Sequence, residues 1–182
     1  MIRVMDRLLL ILSLCFFTVA CGTDDVALDG LVFNEVSLVG GDYIELMNIG
    51  DSPIAIGGYR LVDRVDGAPR PDQAVLFDAG ATIAAGEILL IQAKLGMDVR
   101  PGEQTACGPG APMRCYYAAW GLSNTTGDAL YVLSPQGERI LELEYAAGTV
   151  ADGAWGRLPD GTGAFVNTAN TPGQSNTAFV MP

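Results

Sequence analysis

From Leu31 onward the chain alternates short apolar runs with clusters of glycine, proline, asparagine and aspartate, and no stretch holds a helical period between two caps. The period is two wherever it is clear. In Tyr43–Asn48, Ile44 and Leu46 fall on one face and Glu45 on the other. In Arg139–Tyr145, Leu141, Leu143 and Tyr145 oppose Glu142 and Glu144, the signature of a strand with one wet face. Leu31–Val39, Ile54–Ile56, Tyr59–Val62, Asp128–Ser134, Trp155–Leu158 and Ala164–Val166 read as further strands, and Glu87–Ala93 as one covered on both sides, with a buried helical turn or two as the alternative at seven residues. Gly40-Gly41-Asp42, Pro135-Gln136-Gly137 and Pro159–Gly163 supply the turns, and Gly57-Gly58 a bend. Arg64–Gln73 reads as a loop and Lys94–Tyr117 as an excursion without alternation. The pattern predicts an all-β fold, a sandwich or barrel of about eight short strands.

The N-terminus follows a different logic. Arg3 and Arg7 precede an apolar run from Leu8 to Ala20, which is short of the roughly 20 residues a spanning helix needs and suits a cleaved export signal. Thr18-Val19-Ala20-Cys21-Gly22 resembles the bacterial lipoprotein signal, in which a small residue precedes a cysteine that is lipidated and becomes the mature N-terminus. Thr18 stands where that signal usually carries an aliphatic residue, so cleavage after Ala20 without lipidation is the alternative. The expected organisation is a signal over 1–20, a lipidated tether over 21–30 beginning at Cys21, and one domain over 31–182. Gly22 in place of an aspartate resembles outer-membrane rather than inner-membrane sorting.

With 21 acidic against 10 basic residues the net charge is −11, and removing Arg3, Asp6 and Arg7 leaves the mature chain more acidic still. Phosphate-based nucleic-acid binding and adhesion to anionic headgroups are both opposed by that balance. Export also bears on the cysteines. Cys107 and Cys115 bracket a glycine- and proline-rich loop and are expected to form a disulfide worth ~2.5 kcal/mol in an oxidising compartment. Free thiols or a metal are the alternatives, although zinc normally takes four ligands and the chain has no histidine.

Asn34-Glu35-Val36, then Tyr43-Ile44-Glu45-Leu46 with Asn48 and Gly50, resemble the opening of a lamin tail domain. Gly58-Tyr59, Ile83 with Ala85-Gly86, Gly121–Asn124, Gly127-Asp128, Ala154–Arg157, Pro159-Asp160-Gly161 and Thr171-Pro172-Gly173 with Asn176 continue it in family order. The resemblance implies an immunoglobulin-like β-sandwich, found in nuclear lamins and on bacterial surface proteins, often joined to hydrolases, and it carries no common catalytic residue. Tyr59 replaces a frequent tryptophan, and the Cys107–Cys115 region looks like a local insertion.

Without histidine, Ser-His-Asp and Cys-His catalysis are excluded, and no phosphate loop, nucleophile elbow or dinucleotide fingerprint is present. Glu142 and Glu144, roughly 7 Å apart along a strand, have a separation that glycosidases use, though an exposed face explains them more simply. Asp63, Asp66 and Asp72 around one loop are calcium candidates, with Arg60, Arg64 and Arg70 among them as competing partners. Tyr116, Tyr117 and Trp120 are candidates for a ligand-binding aromatic cluster, against burial in the core. The expected function is that of a non-catalytic cell-envelope lipoprotein without a cofactor, held to the membrane by lipid. It would contact an envelope or surface protein through an edge strand or the region from Met97 to Tyr117. A glycan- or calcium-dependent binding module, or an accessory domain that localises a hydrolase, is the alternative.

Overall fold

The computed structural model describes residues 28–65, 67–93, 102–104, 107 and 114–180. Cys21, the signal segment, Asp66 and most of the cysteine-bracketed loop lie outside the described residues.

In chain order the strands are β1 (Leu31–Ser37), β2 (Tyr43–Asn48), β3 (Ile54–Ala55), β4 (Arg60–Val65), β5 (Ala68–Pro69), β6 (Val75–Leu76), β7 (Thr82–Ile83), β8 (Ile88–Ala93), β9 (Cys115–Ala118), β10 (Asp128–Leu133), β11 (Arg139–Tyr145), β12 (Ala154–Leu158) and β13 (Ala164–Thr168). A six-stranded sheet runs β13-β12-β1-β2-β8-β9, and a second sheet runs β11-β10-β4-β5, with β6 also pairing on β4. β3 and β7 form a separate ribbon. All strand pairs are antiparallel except β8 with β9, where Leu90 lies beside Cys115 and Ala93 beside Ala118.

The sheets stack as an immunoglobulin-like sandwich because alternate residues of the central strands are apolar and point the same way. Phe33, Val36, Ile44, Leu46, Leu89 and Ile91 from the first sheet meet Leu61, Leu130, Val132 and Leu143 from the second in one buried cluster. Each fully buried aliphatic or aromatic side chain of this kind contributes roughly 1.5–3 kcal/mol. A bulge between Phe33 and Glu35 lets β1 turn Asn34 and Glu35 away from that core.

β11 lies over β1 and β6 over β9, so the six-stranded sheet reaches two strands, β12 and β13, beyond the edge of its partner. The excursion expected from Lys94 to Tyr117 contains one strand that its pattern hides. In β9 three of four side chains are buried, so Cys115-Tyr116-Tyr117-Ala118 shows no polar alternation.

Candidate functional site

The motifs at the two ends of the domain converge on a single buried network on the outer face of the six-stranded sheet. The bulge in β1 and the register of β2 set Glu35 directly opposite Glu45. The segment after β13 then folds across them. Tyr43 donates its hydroxyl to Glu35 Oε1 at 3.0 Å, Thr171 Oγ1 lies 3.0 Å from Glu35 Oε2, and Thr168 Oγ1 adds a longer contact. The Gly173 amide donates to Glu45 Oε1 at 2.6 Å and Asn34 Nδ2 to Glu45 Oε2 at 3.1 Å. Asp160, in the β12–β13 turn, accepts from the same Asn34 amide and from the Asn176 backbone. Asn176 in turn donates to the carbonyls of Asn34 and Arg157.

Glu35 and Glu45 are fully buried, which disfavours the charged form of each. Burial, with the charge of Glu35 beside it, pushes the Glu45 carboxyl up to about 8, and burial raises Glu35 as well. Two carboxyls with displaced ionisation are also the raw material of acid–base catalysis. Here every carboxylate oxygen is occupied by a donor beneath the C-terminal segment. The arrangement therefore fastens that segment to the sheet.

Cys107 and Cys115 form a disulfide with Cα atoms 6.0 Å apart, buried against Tyr43 and Leu90. Beside it Arg114 bridges Glu87 and Glu103, each at 2.7 Å, and reaches the Thr82 carbonyl. Of the aromatic candidates, Tyr116 and Trp120 are each 1% exposed. Tyr116 packs edge-on against Phe77 at 5.0 Å, and the Trp120 indole donates to the Gln73 carbonyl at 3.0 Å. Both are core residues with satisfied polar ends, and only Tyr117 keeps a half-open ring, so the three form no exposed stacking face.

Asp63 does not hang in a loop. It sits on β4 as a buried side chain paired with Arg70 at 3.5 Å, and burial raises its carboxyl despite that arginine. Asp72 lies in an exposed single turn of 3-10 helix, and Asp66 is outside the described residues. Among the described residues no group of three metal-ligating side chains is close enough to hold an ion. Glu142 and Glu144 are exposed on β11, as their alternation indicates, each beside an arginine: Arg139 at 3.7 Å and Arg64 at 2.6 Å.

The remaining site candidate is the open flank of the sandwich. β11 ends its sheet, with β10 as its one strand partner among the described residues. Beyond it lies the inner face of β12 and β13, where Trp155 and Phe165 stack at 4.4 Å and are half-buried. Arg157 covers Phe165 at 4.6 Å, held by the carbonyls of Phe33 and Gly163.

Residues 26–147 match the family described as Lamin Tail Domain, a family of immunoglobulin-like interaction domains not known for catalysis. No curated protein matches the chain.

Proposed function

Since the chain belongs to the lamin tail domain family, we propose that it is a non-catalytic interaction module of the bacterial cell envelope, lipid-anchored at Cys21 and making protein contacts through the open flank of its sandwich. The observation that carries this reading is the seven-residue edge of β11, which no strand among the described residues pairs, beside half-buried aromatic rings. A free strand edge is a ready template for pairing with another chain, and stacked rings at a rim supply contact area at low entropic cost. The carboxylates with displaced ionisation lie sealed under the C-terminal segment, which directs attention to surfaces rather than to a reaction centre.

Anchoring follows from the signal. An acylated Cys21 joined to the body by a short acidic tether would hold the domain near the bilayer, and the layout after the cysteine favours the outer membrane. Metabolic labelling with palmitate should mark the wild type and fail in Cys21→Ser, which should no longer be retained in the membrane fraction. Equal retention of both would refute the anchor. Protein contact is tested by crosslinking in intact cells with a carboxylate-directed reagent, because Lys94 is the only lysine. A discrete protein adduct that survives chelator and free sugars is expected. Recovery of glycan material alone would overturn the reading.

A further inference from the structure

The two sheets differ in width, and the difference is one-sided. Among the described residues no strand pairs with β11 on its far side, so beyond the Tyr145 ring, which meets Trp155 at 6.3 Å, β12 and β13 leave a place one to two strands wide. A strand added there would sit ~4.8 Å from β11 and ~10 Å above β12, the ordinary spacings within and between sheets. Its inward side chains would meet Trp155 and the edge of Phe165 not covered by Arg157, beside the partly buried Ile140 and Leu141 of β11. The other edges are less available. The C-terminal segment pairs along the end of β13 through the Ala169 amide to Thr177 and the Phe179 amide to Asn167, and Gln104 bridges to Cys115 at the edge of β9.

The side chains of β11 select the occupant. A second copy of this chain pairing antiparallel about Leu143 would set Glu142 opposite Glu144, and pairing about Glu142 would set it opposite itself. Like charges directly across a ladder are destabilising. Glu142 and Glu144 are 47% and 61% exposed, and the whole chain carries −11. Basic residues on an incoming strand would find both glutamates, in competition only with surface ion pairs to Arg139 and Arg64 that are worth little.

We propose that the flank beside β11 accepts one extended segment of a partner protein as an additional strand, with lysine or arginine at alternate outward positions and apolar residues inward on Trp155 and Phe165. The inference rests on the interaction reading above and names the partner's chemistry.

The probe is a nine-residue peptide alternating lysine with valine and phenylalanine, compared with its glutamate counterpart. Binding of the lysine peptide should slow hydrogen exchange of β11 backbone amides at least about tenfold and change Trp155 fluorescence in a Trp120→Phe background. Glu142→Lys with Glu144→Lys should weaken that peptide at least about tenfold and favour the glutamate peptide, since two attractive cross-strand pairs become repulsive. Should the double reversal perturb the fold, Glu142→Gln with Glu144→Gln should give an intermediate loss. Equal binding of the two peptides, no binding, or protection confined to β9 or β13 would overturn the proposal. Those results leave the interaction reading intact if the in-cell protein adduct persists, whereas absence of any adduct removes the reading itself.

Discussion

Glu35 and Glu45 face each other on neighbouring strands, and none of the ion pairs among the described residues reaches either of them. A buried carboxyl whose ionisation is raised keeps in the fold a proton that the unfolded chain gives up. Its contribution is complete below about 4.5 and is lost as pH rises through about 8 for Glu45. The melting temperature should therefore fall between pH 5 and pH 8, by roughly 5–10 °C if ~3 kcal/mol is at stake. Glu103, held below the ordinary range by Arg114, acts at lower pH and leaves this window unaffected. Glu35→Gln keeps an acceptor for Tyr43 and turns the acceptor of the Thr171 hydroxyl into an amide donor, which that hydroxyl can accept while donating to Asn176 Oδ1 at 3.0 Å; with one charge removed, the fall should roughly halve. A wild-type melting temperature flat across that range would contradict this account. Backbone geometry gives a second residue-scale contrast. At Gly127, φ is +72° and a Cβ would meet the Tyr145 carbonyl oxygen at 2.5 Å; at Gly137, φ is +92° with open space around it. Gly137→Ala should cost about 1 kcal/mol and Gly127→Ala about 2–4 kcal/mol, read by urea denaturation. Similar costs at the two positions would remove the steric argument.

Among elements, the strands with strict alternation were legible in the sequence: Tyr43–Asn48 and Arg139–Tyr145 are found at those bounds. The two-residue strands β5, β6 and β7 were not, because a pair of residues carries no period. β9 was missed because burial on both faces erases the pattern and its parallel partner lies a long connection away. The alternation of β2 placed Glu45 on the face away from the core but could not reveal what covers that face. That role falls to the segment from Ala169 to Phe179, whose anchors Thr171, Gly173 and Asn176 read only as family motif residues. Deleting residues 169–182 should lower stability by several kcal/mol at pH 5 and remove most of the pH dependence, since Glu35 and Glu45 become solvated. An unchanged pH profile in the truncated chain would show that the segment does not seal the pair. The disulfide acts over a shorter range. Cys107→Ser with Cys115→Ser should cost ~2.5 kcal/mol, and because Arg114 still ties β9 to Glu87 and Glu103, exchange should quicken in β9 before it does in β10.

On the scale of the whole molecule, the sandwich has a closed side and an open one. The β9 side is pinned by a disulfide and an arginine bridge, while on the other side β12 and β13, carrying the half-buried rings of Trp155 and Phe165, extend past a β11 edge that no strand among the described residues pairs. The family and the sandwich were readable from motif order and period. The open flank was not, because it arises from a difference in width between two sheets that no local pattern encodes. A photo-crosslinking phenylalanine analogue placed at position 144 on β11, or at position 117 on β9, and activated in intact cells compares the two sides directly. The account predicts a discrete protein adduct from position 144 and little from position 117. Adducts from position 117 alone, or from neither, would contradict it.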